Sequence, residues 1–423
     1  MREDIVQVAG VGFGPSNLAL AIALRECRPA GTGAVFFERQ PSFGWHSGML
    51  LDDATMQISF LKDLVLLRNP VSSFSFLAYL HDRGRLADFI NHQTLVPSRL
   101  EFHDYLRWAA ERVGGVVRYD SEVLAIRPVS GDGVVDQLEL VVRDGAHREP
   151  YVCRARNVVL ATGLRPRLPD GVRASDRVWH SADYLHRLAG LPPEATGSFT
   201  VVGSGQSAAE ITNDLMSRFP EATVHAVFPR YGYSVADDSP FTNRIFDAAA
   251  VDDYYLAAPP VRESLMNYHA NTNYSVVDLD LIRALYRRQY QERVRGVDRL
   301  RIVNVSRVRQ VRESGGGVSV DVEYLPTGER TDLRSDVVVF ATGYRPLDPR
   351  PLLGELMEFV ELDDDGMVRV GRDYRLCTSD KLTCGIYLQG GTEHTHGISS
   401  SLLSTTAQRA GHIVESLTAS TPQ

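Results

Sequence analysis

Glu38 and Arg230 carry opposite charges at matching places behind two glycine turns. The first turn, Gly10-Val11-Gly12-Phe13-Gly14-Pro15-Ser16-Asn17, joins the apolar run Ile5 to Val11 to the apolar helical stretch Leu18 to Leu24. Gly12 and Gly14 allow a tight turn and a close approach to a pyrophosphate, and the free N–H groups of the helix start face the phosphates. Asn17 stands where the G-x-G-x-x-G pattern has its third glycine. Ala34 to Phe37 reads as the second strand, and Glu38 ends it about 24 residues after Gly14, where a ribose-binding acid is expected. The second turn is Gly203-Ser204-Gly205-Gln206-Ser207-Ala208, a G-x-G-x-x-A pattern after the strand Ser198 to Val202. Its following strand, Ala222 to Phe228, ends in Pro229-Arg230, with the arginine about 25 residues beyond Gly205 and no acid in its place. A guanidinium fork binds a 2′-phosphate that a carboxylate would repel. The first turn therefore suits FAD and the second NADPH rather than NADH.

Other reactive side chains cluster in irregular stretches. The segment from Pro41 to Pro70 carries Trp45, His46, Met56, Gln57 and Lys62, a candidate wall for a flavin ring. Taken singly, Trp45 and Met56 suit a core and Lys62 a solvated surface equally well. Tyr231 to Asn243 and Asn271 to Val277 are polar and aromatic, and read as part of a small irregular or helical substrate segment. Asp237-Asp238 suits capping or surface structure, because no histidine lies at ligand spacing. Glu393, His394 and His396 offer no convincing tetrahedral set, so no metal is expected. The serine-rich run Ser399-Ser400-Ser401, opening the last helix, suits a flavin edge or a substrate.

The elements that must position these groups are legible from periodicity. Helices are expected at Ser72 to Leu80, Leu100 to Val113 and Leu279 to Arg295. Strands are expected at Val116 to Arg127, Gln137 to Val142, Leu300 to Val311, Val318 to Tyr324 and Gly385 to Gly390. The apolar run Asn157 to Gly163 ends in Ala-Thr-Gly and recurs as Asp336 to Gly343, and Arg-Pro follows one residue later in both copies. Such turns let the backbone pass close to a cofactor or a neighbouring domain.

The bulk properties bound the function. The 423 residues suffice for two or three domains, with 43% hydrophobic and 23% charged content typical of a globular enzyme. A net charge of −8 argues against nucleic acid as the main partner. No window suits a membrane span or secretory segment. The four cysteines, Cys27, Cys153, Cys377 and Cys384, lack C-x-x-C spacing, which argues against dithiol chemistry and suits a reducing, cytoplasmic setting.

Beyond these patterns, GFGPSNLALA, WHSGM, MQISFLKDL, PSRLEF, VVGSGQSAAE, DDSPFTN, NTNYSVV, ATGYRP and HTHGISSSLLS, spread from Gly10 to Ser404, are similar in order and spacing to one family. The chain resembles the microbial flavin-dependent N-hydroxylating monooxygenases, with the ornithine members nearer than the lysine members around Lys62 to Pro70. The resemblance implies an α/β fold of two Rossmann-like domains, for FAD and NADPH, with a small, mainly helical substrate segment. It places the FAD domain at 1–165 and 329–423, the NADPH domain at 166–232 and 282–328, and the substrate segment at 233–281.

The family also implies roles. Lys62 would bind the amino acid carboxylate. Asn243 and Asn273 would hold the amino acid head and orient the amine, with Asn273 and Ser399 the catalytic candidates. Gly12, Gly14, Pro15, Ser16, Asn17, Glu38, Trp45, Met56, Gln57, Thr342, Gly343, Ser399 and Leu402 would serve the cofactors. Gly203, Ser204, Gly205, Gln206, Ser207 and Arg230 would meet NADPH, with His46 and Arg99 near its nicotinamide nucleotide. NADPH would reduce FAD, and O2 would add to it as a C4a-hydroperoxide whose distal oxygen the N5 amine of L-ornithine attacks. The product would serve siderophore or related secondary-metabolite biosynthesis, and the assembly would be a homo-oligomer, a dimer or tetramer. An L-lysine N6-hydroxylase, another class B flavin monooxygenase and a non-catalytic flavoprotein are the alternatives.

Overall fold

The computed structural model describes residues 5–27, 33–131, 133–145, 149–191 and 197–419, so the expected outer domain bounds 1 and 423 lie outside the described residues. The first sheet has seven strands. Val6–Val11 sits near its centre, parallel to Ala34–Phe37 on one side and to Tyr151–Leu160 on the other. Gly385–Leu388 also runs parallel to Tyr151–Leu160, which returns the chain's end to the first domain. Val134–Asp144 and Ser121–Gly131 extend the sheet as antiparallel strands.

Helix Pro15–Cys27 packs between this sheet and the last helix, Thr406–Ala419, and so buries every residue from Asn17 to Leu24. That two-sided burial explains a helix that is apolar all round rather than along one stripe.

The second sheet is wholly parallel, in the order Leu300–Val303, Thr223–Val227, Ser198–Val202, Val337–Phe340 and Val178–His180. The last two positions correct an expected boundary. A return to the first domain at 329 is too early, because Val337–Phe340 pairs with Ser198–Val202. Its run of four buried apolar residues belongs at the centre of a doubly covered parallel sheet. The antiparallel strands Ser306–Ser314, Gly317–Tyr324 and Glu329–Ser335 pack Val318, Val320 and Val322 against Val338 and Phe340 of that same sheet.

The Ala-Thr-Gly repeat thus marks one equivalent strand in each domain. A Cβ at Gly12 would overlap the Ala161 carbonyl oxygen, and a Cβ at Gly203 would overlap that of Ala341. Each glycine turn is pressed against its own copy of the repeat. Just beyond, Leu164–Pro166 and Tyr344–Pro346 pair antiparallel with Arg165 opposite Arg345, so the two crossings between domains run side by side.

Helix boundaries follow their caps. The expected Ser72 to Leu80 helix begins only at Phe76, because the Ser75 hydroxyl accepts the Ala78 N–H. Ser98 and Asp278 cap helices Arg99–Val113 and Leu279–Val294 in the same way. The expected substrate segment is mainly helical, with Ala248–Leu256 and Pro259–His269 as its longest pieces. No described helix is long and apolar enough to cross a membrane.

Candidate active site

At the first turn, Glu38 accepts the Phe13 N–H at 2.7 Å and the Gln40 N–H at 2.9 Å. Its carboxylate braces the turn and keeps further lone pairs for a ribose hydroxyl. Asn17 has a structural reason to replace the third glycine. Its fully buried amide donates to the Gly12 carbonyl at 2.7 Å and accepts from Gln389 at 3.0 Å. Gly10 on the strand makes room, since a Cβ there would come within 2.9 Å of the Asn17 amide nitrogen.

Three observations show that this pocket fits a flavin dinucleotide. Gly12 has φ of 83°, which an L side chain rarely adopts. No heavy atom lies within 4 Å of a Cβ built at Gly14, so the outer face of the turn is open. The buried hydroxyls of Thr392, Ser400 and Ser404 have no hydrogen-bond partner among the described residues. Buried donors of this kind are costly unless a ligand engages them.

Ser399 is buried next to these hydroxyls, and its carbonyl accepts from Thr405. Leu402 is half-buried, its carbonyl accepting from Thr406. Trp45 stands edge-on to His46 at 4.8 Å and packs on the apolar core around helix Pro15–Cys27, which also holds the buried Met56. Gln57 is exposed. Both histidines of the C-terminal run turn ring nitrogens toward backbone carbonyls, His394 to Val368 and His396 to Arg372.

The second turn is tied to the substrate segment. Gln206 donates to Asp278 at 2.9 Å and accepts the Asp278 N–H at 2.9 Å. Gly205 lies under Ser275, and Arg230 donates to the Ser275 carbonyl at 3.1 Å. Arg230 is exposed, three residues beyond the end of strand Thr223–Val227. Ser204 is buried and Ser207 half-buried at the helix start.

Arg99 lies where the two domains meet. Its guanidinium pairs with Glu210 at 2.7 and 2.9 Å and donates to the Met49 carbonyl at 2.8 Å. It therefore joins the first domain to helix Gln206–Arg218 of the second. His46, in a left-handed conformation with φ of 50°, meets Tyr344 of the crossing strand edge-on at 5.9 Å. Thr342 and Gly343 also lie at this crossing: the Thr342 hydroxyl donates to the Arg167 carbonyl, and the Gly343 carbonyl accepts from Arg167 and His180.

Lys62, the Asn243 helix and the Ser399 segment come together. The Lys62 ammonium lies 5.6 Å from the centre of the Phe246 ring. Phe246 shares the short helix Thr242–Phe246 with Asn243, whose amide donates to the Asp238 carbonyl at 2.7 Å. That helix packs against Ile398–Ser401, which carries Ser399. Asn273 follows at Ala270–Thr272, and its neighbour Tyr274 donates to Glu393. Asp63 holds the Lys62 loop by accepting the Val65, Leu66 and Phe76 N–H groups at 2.7–2.8 Å. Burial raises its pKa to about 6 against the opposing effect of those bonds.

Asp63, Glu210, Gln389 and Arg409 were not identified from sequence. Glu210 sat inside VVGSGQSAAE, but a charge-burial signal appears only once the helices meet.

Two glycine turns, one at the end of a mixed sheet and one at the end of a parallel sheet, define an oxidoreductase of the two-dinucleotide class. Residues 4–346 match the model of the L-lysine 6-monooxygenase/L-ornithine 5-monooxygenase family. The chain is 42% identical over 407 residues to the L-ornithine N(5)-monooxygenase of Burkholderia cepacia, covering 94% of this chain and 90% of that one. It is 40% identical over 416 residues to the Pseudomonas aeruginosa enzyme of the same name, covering 96% and 92%. Its fold superposes with a TM-score of 0.95 on the ornithine N-hydroxylase of Kutzneria sp. 744 with reduced FAD, NADP+ and L-ornithine, at 50% identity over 98% of this chain and 99% of that one. The L-lysine 6-monooxygenase of Pseudomonas syringae gives 0.87 at 31% identity, over 99% and 100%. The chain belongs to the L-lysine 6-monooxygenase/L-ornithine 5-monooxygenase family.

Proposed function

We propose that the chain is an NADPH- and O2-dependent FAD monooxygenase that hydroxylates the N5 amine of L-ornithine. The observation that carries the reading is the meeting of Lys62, the Asn243 helix and the Ser399 segment between two dinucleotide folds. FAD, when bound, supplies the redox and oxygen chemistry.

The chain's residues supply position and charge. Gly12, Gly14, Pro15, Ser16, Asn17 and Glu38 hold the flavin dinucleotide, with Trp45, Met56, Gln57, Ser399 and Leu402 about its ring. Gly203, Ser204, Gly205, Gln206, Ser207 and Arg230 hold NADPH, and His46 and Arg99 flank its nicotinamide end. Lys62 holds the substrate carboxylate. Asn243 and Asn273 hold the other polar groups and aim the amine through amide oxygens, which orient it without fixing a charge. The amine must be neutral to react. With an ordinary pKa of about 10.4, losing its proton at pH ~8 costs roughly 3 kcal/mol. A free carboxylate at that end would favour the ammonium. Glu393 accepts from the hydroxyl of Tyr274, the residue after Asn273.

A cytoplasmic homo-oligomer that feeds siderophore or related secondary-metabolite biosynthesis completes the proposal. Its test is turnover of L-ornithine under 18O2 with mass spectrometry of the product. One 18O on N5 supports the reading, and an unlabelled product or oxygen on another atom refutes it.

A further inference from the structure

Arg409 is 1% exposed and has no carboxylate within ion-pair distance among the described residues. Each of its three nitrogens finds a neutral partner. Nε donates to Gln389 at 3.3 Å, Nη1 to the Ser400 carbonyl, and Nη2 to the hydroxyls of Ser16 and Thr406 at 3.2 Å each. A buried guanidinium without a counter-charge is costly, because hydrogen bonds to neutral groups only partly replace its hydration. Arginine stays protonated under these conditions, so the charge itself must be accommodated.

The geometry says where an anion would meet it. Ser16 lies in the first turn of helix Pro15–Cys27, immediately after the open face at Gly14. Its hydroxyl accepts from Arg409, which leaves its own proton free to donate outward. A hydroxyl that accepts from a cation becomes a stronger donor to an anion. Ser400, held by its carbonyl on the same guanidinium, presents a buried hydroxyl with no partner among the described residues.

We propose that Arg409 is a positioning residue that supplies the buried counter-charge for the FAD pyrophosphate, passed to it through the Ser16 hydroxyl. The same guanidinium joins the first glycine turn to the Ser400 segment, so cofactor binding and the ordering of that segment are coupled. This rests on the reading of the first turn as the FAD site.

Apo-protein titrated with FAD, and separately with riboflavin, tests the assignment in wild type, R409M, R409K and S16A. R409M is expected to bind FAD roughly 10- to 100-fold more weakly, the range for losing a hydrogen bond to a charged group. Riboflavin, which lacks the pyrophosphate, should bind all four proteins alike. Apo R409M should melt no lower than apo wild type, because an uncompensated buried charge has been removed. R409K should recover part of the FAD affinity. Equal FAD affinity in wild type and R409M would overturn the assignment, as would equal loss of melting temperature with and without FAD, the mark of a purely structural arginine. If R409M fails to fold, S16A decides: a roughly 10-fold loss confined to FAD supports the relay, and unchanged affinity overturns it. Failure of the wild type itself to bind FAD would instead refute the FAD reading beneath it.

Discussion

Arg99 and Glu210 clasp the two domains together, one at the start of the first domain's helix Arg99–Val113 and the other within the second domain's helix Gln206–Arg218. The pair is bidentate at 2.7 and 2.9 Å, and the side chains are only 12% and 5% exposed. Gln206 reaches the same carboxylate at 3.1 Å and also holds Asp278, so the clasp extends to the substrate segment.

Breaking such a pair leaves a buried charge alone. E210A is expected to lower unfolding stability by about 3–5 kcal/mol, while the double variant R99M/E210M recovers much of that loss. Chemical denaturation of the wild type and the two variants checks this. A double variant no more stable than E210A would contradict it.

The glycine turns make a separable prediction. G203A should leave the protein yellow with FAD yet weaken NADPH binding strongly, because the new Cβ meets the Ala341 carbonyl beneath the second turn. G12A meets the Ala161 carbonyl and should lose FAD. Flavin content and anaerobic reduction by NADPH distinguish the two, and flavin loss in G203A would argue against separate sites.

Lys62 and Arg230 act on different ligands. K62A should raise the KM for L-ornithine roughly 10- to 100-fold, the value of a charge-assisted hydrogen bond, with little change in flavin reduction by NADPH. R230A should weaken NADPH roughly 10-fold and leave NADH nearly unchanged. Steady-state kinetics with stopped-flow reduction report both. Equal losses for the two nucleotides would remove the phosphate role from Arg230.

Asp63 gives a pH dependence. Its folded pKa, raised by burial to about 6, exceeds the ordinary value of 3.8, so the folded state holds the proton longer. The unfolded state binds fewer protons in that window, and the stability contributed by Asp63 falls as pH rises from about 4 to 6. Above that it is flat. Denaturation of D63N against wild type over this range should show the difference in slope, and parallel profiles would contradict it.

Much of this organisation was legible in the sequence because it rests on local rules. Gly12, Gly14 and Glu38, and then Gly203, Gly205 and Arg230, lie in contiguous strand-turn-helix units whose spacing the ligand dictates. The Ala-Thr-Gly repeat was visible too, but its meaning was not. Two identical turns cannot say which sheet each closes, so Val337–Phe340 was placed in the wrong domain. The Arg99–Glu210 pair was not legible, because its two members lie far apart along the chain. Nothing local in the sequence sets Arg409 apart from other charges on a helix. Only the packing of that helix against Pro15–Cys27 reveals a buried cation.

The central claim is tested most directly by NADPH oxidation measured beside hydroxylamine formation, with FAD added, for L-ornithine, L-lysine and no amino acid. Hydroxylamine formed mainly from L-ornithine, in step with NADPH consumed, is the predicted result. Hydrogen peroxide as the sole product in all three reactions, or hydroxylamine formed mainly from L-lysine, would contradict it.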